Sequence, residues 1–308
     1  MIYLSILVLS IFSGFTLRNL FVKKRILDRI NHRSSHDVIA TRTGGSVLFL
    51  VLFLYISFLY FNSYQPFDFS IIIPVSILFV TGLYDDIYGV DYSLKFIFQI
   101  ISAKLLIDMG YIVDIFSVFG YEFIFSRSLA QIITILFYIA IFNAYNFIDG
   151  IDGNILFESI KSLVLILILF DLSSAIFELA IIIIIICLTI IPFNLNKRFK
   201  VFMGDSGSLT IPILIIFCLN QGLEGNYDQN VLKYLFIIFI YPLIDLVRVV
   251  FVRILNRKSP FIADKNHIHH HVNQFFKNHF KSSLTILIFS GLIQLALIYI
   301  LIIRQEVL

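Results

Sequence analysis

Four short polar segments interrupt a very apolar chain, and each carries side chains suited to anionic substrates. They are Gly82–Asp86, Asn143–Gly153, Val201–Ser208 and Asp264–His271. Asp85 and Asp86 are adjacent carboxylates that repel each other unless a cation or a proton intervenes; a simple polar helix cap is the structural alternative. Lys95 and Gln99 lie one turn apart nearby, and Lys95 either meets a phosphate as a point charge or snorkels to the interface. Asn143, Asn146, Asp149 and Asp152 recur every third residue, so neighbours share a helix face until Gly150 and Gly153 turn the chain. Amides and acids at that place are costly beside lipid and are expected to face a polar cavity.

In Phe202–Ser208 one acid, Asp205, stands between glycines just before another helix. Free N–H groups at that helix start favour an anion, and Asp205 favours a metal. His267, His269, His270 and His271 follow the basic Arg253, Arg257 and Lys258. On a helix His267 and His271 share a face, which admits zinc, but the basic flank favours a phosphate partner. Together these groups suit a phosphorylated substrate handled with a divalent metal.

The elements that must position them are apolar helices. Hydrophobic residues make up 59% of the 308 positions and charged residues 14%, which excludes an ordinary soluble domain. Apolar runs long enough for about 30 Å of hydrocarbon recur, and no polar stretch is long enough for a separate soluble domain. The expectation is one all-α polytopic domain over 1–308 with about ten transmembrane helices. The spans are 2–22, 45–62, 69–84, 93–110, 128–145, 155–171, 174–193, 208–221, 231–254 and 282–303. Tyr241-Pro242 is expected to kink the ninth, and Asp245 and Arg248 within it to pair. Lys104 and Lys161 are either functional or snorkelling. Tyr111–Phe125, around Gly120, forms either a small outer β-hairpin or an irregular loop.

With the N-terminus outside, the inner segments collect Lys23, Lys24, Arg25, Arg29, Arg33, Arg42, Lys95, Lys197, Arg198, Lys200, Arg253, Arg257, Lys258, Lys265, Lys277 and Lys281. The outer ones hold Arg127 and Arg304, with Lys233 at a helix start. All four polar segments then emerge on the inner face. The net charge of +3 reflects this topology, not nucleic-acid binding. The first helix lacks a basic n-region and a cleavage site, so it reads as a retained anchor. Cys187 and Cys218 lie inside spans, and neither a disulfide nor a thiol metal site is indicated.

In order along the chain, Asn31–His36, the acid pair with Lys95 and Gln99, Asn143–Gly153, Val201–Ser208 and Ser259–His271 resemble the polyprenyl-phosphate N-acetylhexosamine-1-phosphate transferases. This family includes the WecA-like initiators of surface polysaccharide and the muramoyl-pentapeptide transferase of peptidoglycan synthesis. The Asp-Lys-Asn-His-Ile-His-His form is closer to the WecA-like branch. Gly89 stands where many such members carry a third acid, Asn154 replaces a usual leucine, and Ile39-Ala-Thr41 lacks the usual prolines before Arg42.

The resemblance implies transfer of a sugar 1-phosphate from a UDP-N-acetylhexosamine to membrane undecaprenyl (polyprenyl) phosphate, with release of UMP. It implies Mg²⁺, with Mn²⁺ as a substitute, held by Asn146 and Asp205. Lys95 and the histidines would hold phosphates, while Gly150, Asp152 and Phe202 would lie against the uridine. Asp85 and Asp86 would orient or deprotonate the lipid phosphate, with Asp149 supporting the centre. A phosphate monoester is largely ionised near neutral pH, so alignment matters more than proton removal. The implied location is the bacterial inner membrane with a cytoplasmic-face site, and a homodimer is compatible with it. An ion-coupled transporter is the reading from another class, but the internal repeat common in that class is missing.

Overall fold

The computed structural model describes residues 1–28, 40–118, 121–223, 231–257, 259 and 266–303. Asn31–His36, Ile39, Gly120, Asn226, Lys258, Asp264, Lys265 and Arg304 lie outside these residues, as do Arg29 and Arg33. The helices are α1 (Ile2–Lys23), α2 (Gly44–Phe61), α3 (Ile72–Tyr88), α4 (Tyr92–Asp108), α5 (Arg127–Ile148) and α6 (Asn154–Leu169). They continue with α7 (Ser174–Leu195), α8 (Gly204–Leu223), α9 (Val231–Ile238), α10 (Ile240–Leu255), α11 (Ile268–Phe276) and α12 (His279–Ile298). Between α4 and α5, β1 (Ile115–Val118) pairs antiparallel with β2 (Tyr121–Ile124), Phe116 opposite Phe123, so the hairpin alternative is the one that forms.

The chain is an all-α polytopic membrane protein. Large apolar side chains such as Leu4, Phe12, Leu136, Phe289 and Leu292 point outward, as a surface facing hydrocarbon requires. Each of the ten expected spans has a helical counterpart. Among the described residues, however, only seven helical segments are individually long and apolar enough to cross, α3 being so only together with the 3-10 turn Phe69–Ile71 that leads into it. The 17-residue α4 and 16-residue α6 fall short of the roughly 20 residues that a crossing takes.

The expected ninth span is two helices bent by 80°. Pro242 has no N–H for the carbonyl of Ile238, four residues back, so the ladder is interrupted there. Gln294 of α12 fills the gap, its Nε2 donating to the carbonyls of Ile237 at 3.1 Å and Ile238 at 3.0 Å. Asp245 and Arg248 pair at 3.0 Å, as their spacing suggests.

α8 is the hub. It is apolar nearly all round and almost wholly buried, packed by α2, α3, α5 and α6. Small residues let these backbones close at its N-terminus. A Cβ at Gly45 would lie 2.1 Å from the Gly207 nitrogen, and one at Gly82 would lie 2.4 Å from the Asp205 carbonyl. The result is a tight junction of three helices at the end of α8 that carries Asp205.

Candidate active site

Asp86 reaches from the last turn of α3 to the start of α8. Its carboxylate accepts the Asp205 N–H at 2.9 Å, the Ser206 N–H at 3.0 Å and the Ser206 hydroxyl at 2.8 Å. The N–H groups expected to await a bound anion are therefore already occupied, and the anion at this positive helix end is Asp86 itself. Arg42 stands 3.6 Å from Asp86 and 2.7 Å from Asp28. Burial lowers its basicity, but the carboxylates of Asp28, Asp86 and Asp205 outweigh that and raise it overall. Thr41 is tied to the segment before α8, accepting the Phe202 N–H at 2.8 Å, so Arg42 is held in place.

Asp85, one residue earlier, faces elsewhere. It accepts the Val90 N–H at 2.6 Å and meets the Lys95 ammonium at 3.3 Å. The same ammonium contacts the Asp205 carboxylate. Asn146 of α5 reaches Ser208 of α8 at 2.8 Å, and Asn143 donates to Gln99 of α4 at 2.8 Å. Lys95, Gln99 and Asn143 also form the polar end of a cavity of about 250 Å³, whose apolar walls include Leu136, Ile139 and Leu246. The acid pair, Lys95, Asn146 and Asp205 thus come together from α3, α4, α5 and α8.

After α5 the chain turns through Asp149 and Gly150. Asp149 is held well above the usual carboxylate range, first by burial and then by the neighbouring Asp205 and Asp86 carboxylates. A cation placed among these acids would reverse that shift. Gly150 lies under the ring of His269, and a Cβ there would meet Nε2 at 2.1 Å.

The four histidines do not act as one cationic patch. His267 is bound at 2.8 Å to the buried Asp245. His269 is fully buried, and neither ring nitrogen has a hydrogen-bond partner. Burial pushes its basicity well below the ordinary histidine value, and His270 and His267 add to this. The imidazole is therefore neutral, because a proton there would be both desolvated and repelled. Rings 269 and 270 sit 4.2 Å apart, whereas His271 lines a separate apolar cavity between α10, α11 and α12. Among the described residues no three His, Cys, Asp or Glu side chains form a cluster that could hold a metal ion.

Asp152 is met by Lys200 at 2.5 Å and His279 at 2.9 Å. Burial alone would push its pKa up, but the hydrogen bonds and charges of His279 and Lys200 outweigh this and hold it below the usual carboxylate range. Its Oδ1 is buried without a partner. The Lys200 ammonium also sits 5.3 Å from the centre of the Phe202 ring. Asp152, Lys200, His279 and Phe202 thus make a second polar cluster. Lys200 and His279 were not singled out from the sequence as site residues. The position of Lys200 two residues before Phe202 was the available signal; His279 carries none.

Fold and site together define a polytopic membrane transferase. Residues 68–221, half of the chain, match the family described as glycosyl transferase family 4, and the chain belongs to that family. It is 29% identical over 277 residues to a probable undecaprenyl-phosphate N-acetylglucosaminyl 1-phosphate transferase of Bacillus subtilis, covering 87% of this chain and 75% of that one. An undecaprenyl-phosphate alpha-N-acetylglucosaminyl 1-phosphate transferase of Yersinia pestis is 29% identical over 265 residues, covering 83% and 72%. A decaprenyl-phosphate N-acetylglucosaminephosphotransferase of Mycobacterium leprae is 26% identical over 249 residues, covering 73% and 62%.

Proposed function

We propose that this protein transfers N-acetylhexosamine 1-phosphate from a UDP-sugar to undecaprenyl or another polyprenyl phosphate, releasing UMP and initiating a cell-surface glycan. The observation that carries the reading is the meeting of Lys95 with Asp85 and Asp205, Lys95 itself lining an otherwise largely apolar cavity. A phosphate on a long apolar chain needs a cationic end and an apolar wall, and this cavity offers both. N-acetylglucosamine is the first donor to test, because the relatives are named for it. The relatives lend nothing to the ion-coupled transporter alternative.

The residues fit a divalent cation. Carboxylates crowd the start of α8, and the protonated form of Asp149 is favoured in their field. Asp205 and the Asn146 amide oxygen would hold Mg²⁺, which would supply charge neutralisation on the diphosphate. Lys95 holds the acceptor phosphate and keeps it beside Asp85, which orients it. An oxygen of that phosphate attacks the β-phosphorus of the nucleotide sugar. The phosphoanhydride bond breaks, and its electrons leave with the UMP oxygen.

Asp86 is given a different part from Asp85: it positions Asp205 by holding the first turn of α8. Phe202, Gly150 and Asp152 take the nucleoside end. His269, neutral, borders that end beside Gly150, with the His270 ring packed against it. The excess of Lys and Arg in segments such as Lys23–Arg25 and Lys197–Lys200 supports a cytoplasmic-face site in a bacterial inner membrane.

The test is turnover of the purified protein in liposomes with polyprenyl phosphate, Mg²⁺ and a panel of UDP-sugars, with identification of the nucleotide released. UMP and a polyprenyl diphosphate sugar are the expected products. Release of UDP, or no turnover with any UDP-N-acetylhexosamine, overturns the proposal.

A further inference from the structure

Away from this site, α1 and α7 enclose a groove of about 410 Å³ whose walls are almost wholly apolar. Leu7, Ile11 and Phe15 on α1, and Leu188 and Pro192 on α7 with Asn196 just past its end, are each spaced by four residues. Each set is therefore one face of its helix and runs about 12 Å along it. The groove follows the helix axes, the direction of a lipid tail in the bilayer. It ends at Phe199, in the segment where the basic residues place the inner face.

Phe199 is flanked by two guanidinium groups, with Arg18 at 5.2 Å and Arg198 at 5.4 Å from its ring centre. Arg18 also donates to the Arg198 carbonyl at 3.0 Å, and its Nε is buried without a hydrogen-bond partner. Among the described residues neither guanidinium meets a carboxylate; their contacts are with Asn19, a carbonyl and the ring. Lys197 is adjacent and exposed. An apolar channel thus ends at the bilayer surface in two or three uncompensated positive charges. Such a lining matches a ligand with a hydrocarbon tail and an anionic head.

We infer that the α1–α7 groove binds an anionic glycerophospholipid of the inner leaflet, one acyl chain lying against Ile11 and Pro192 and its phosphate against Arg18 and Arg198. The ligand is a bilayer lipid and not the polyprenyl acceptor, whose phosphate is provided for at Lys95. Arg198 is two residues before Lys200, the partner of Asp152. A bound headgroup therefore fixes the segment that leads into the nucleoside end.

The test uses the full chain in nanodiscs of equimolar phosphatidylglycerol and phosphatidylcholine with identical acyl chains, extracted into neutral detergent for native mass spectrometry. Phosphatidylglycerol is expected to be retained about 25-fold over phosphatidylcholine, with roughly fivefold resting on each arginine. The double variant R18Q/R198Q should lose the preference. Should it fail to fold, R198Q alone removes only an exposed side chain and should cut the preference about fivefold. Ile11→Trp, which fills the groove and keeps both arginines, should lower retention of phosphatidylglycerol. Equal retention of the two lipids by the wild type, an undiminished preference in R198Q, or stoichiometric displacement by polyprenyl phosphate overturns the inference. None of these readouts requires turnover, so a failed transferase assay leaves them intact.

Discussion

Asp86→Asn separates a residue that builds the site from one that reacts in it. The carboxylate serves three donors on α8, two of them backbone N–H groups on opposite oxygens. An asparagine has the same shape but only one acceptor oxygen. Whichever way the amide is turned, its NH₂ faces either the Asp205 or the Ser206 N–H, and that donor is left buried without a partner. Such a loss costs about 1–3 kcal/mol. Removing the negative charge from the helix N-terminus adds about 0.5–1 kcal/mol. The sum is about 1.5–4 kcal/mol, which lowers the thermal midpoint of a chain this long by roughly 2–6 °C. The assay is thermal unfolding in one detergent, wild type against variant, with turnover measured well below both midpoints. A midpoint within about 1 °C of the wild type, combined with lost turnover, would show that Asp86 acts chemically and that the capping argument is wrong.

Asp205→Asn and Asn146→Ala should raise the Mg²⁺ concentration needed for half-maximal turnover, or abolish turnover, in protein that remains folded; unchanged metal dependence in both removes them from the metal site. Gly150→Ala forces the His269 ring back by about 1.3 Å within a stack of histidines, an overpacking of about 1–3 kcal/mol that should lower the thermal midpoint by roughly 2–5 °C. His269 stays neutral when folded, so below about pH 6.5 the unfolded chain takes up a proton that the folded one refuses. Stability then falls by about 1.4 kcal/mol per pH unit, and His269→Phe should flatten the decline in thermal midpoint between pH 7 and 5; equal slopes would mean that the ring is accessible to protons. Single cysteines at the exposed Lys197 and Tyr121 should be labelled from opposite sides, Lys197 from the cytoplasm; labelling from the same side breaks the topology.

The apolar helices and the order of the polar segments were legible because hydropathy and glycine placement are local properties. The division of labour within those segments was not. Adjacent residues on a helix diverge by about 100°, so Asp85 and Asp86 had to face different neighbours, yet nothing local says that one meets Lys95 and the other caps α8. The histidines divide similarly: His267 serves Asp245, His269 packs on Gly150, and His271 faces an apolar cavity, because a helix start spreads consecutive side chains around its axis. Lys200 and Asp152 are 48 positions apart, and no spacing rule connects them. Asn154 is buried against the Ile148 carbonyl and Tyr241 hydroxyl, so it belongs to the packing behind the turn and not to an accessible loop. Composition and periodicity showed that the segment from 231 to 254 was apolar, while the break at Phe239 depends on Gln294 from a different helix.

That dependence bears on how the protein is made. The carbonyls of Ile237 and Ile238 are capped by a side chain that leaves the ribosome more than fifty residues later. In hydrocarbon each uncapped carbonyl costs several kcal/mol. Until α12 inserts, the Ile237 carbonyl lacks this cap and that of Ile238 keeps only a 3.4 Å bond from the Ser162 hydroxyl of α6. Chains halted before residue 294 should be preferred prey for membrane proteases, whereas those carried past it acquire the bend and its seal in one step.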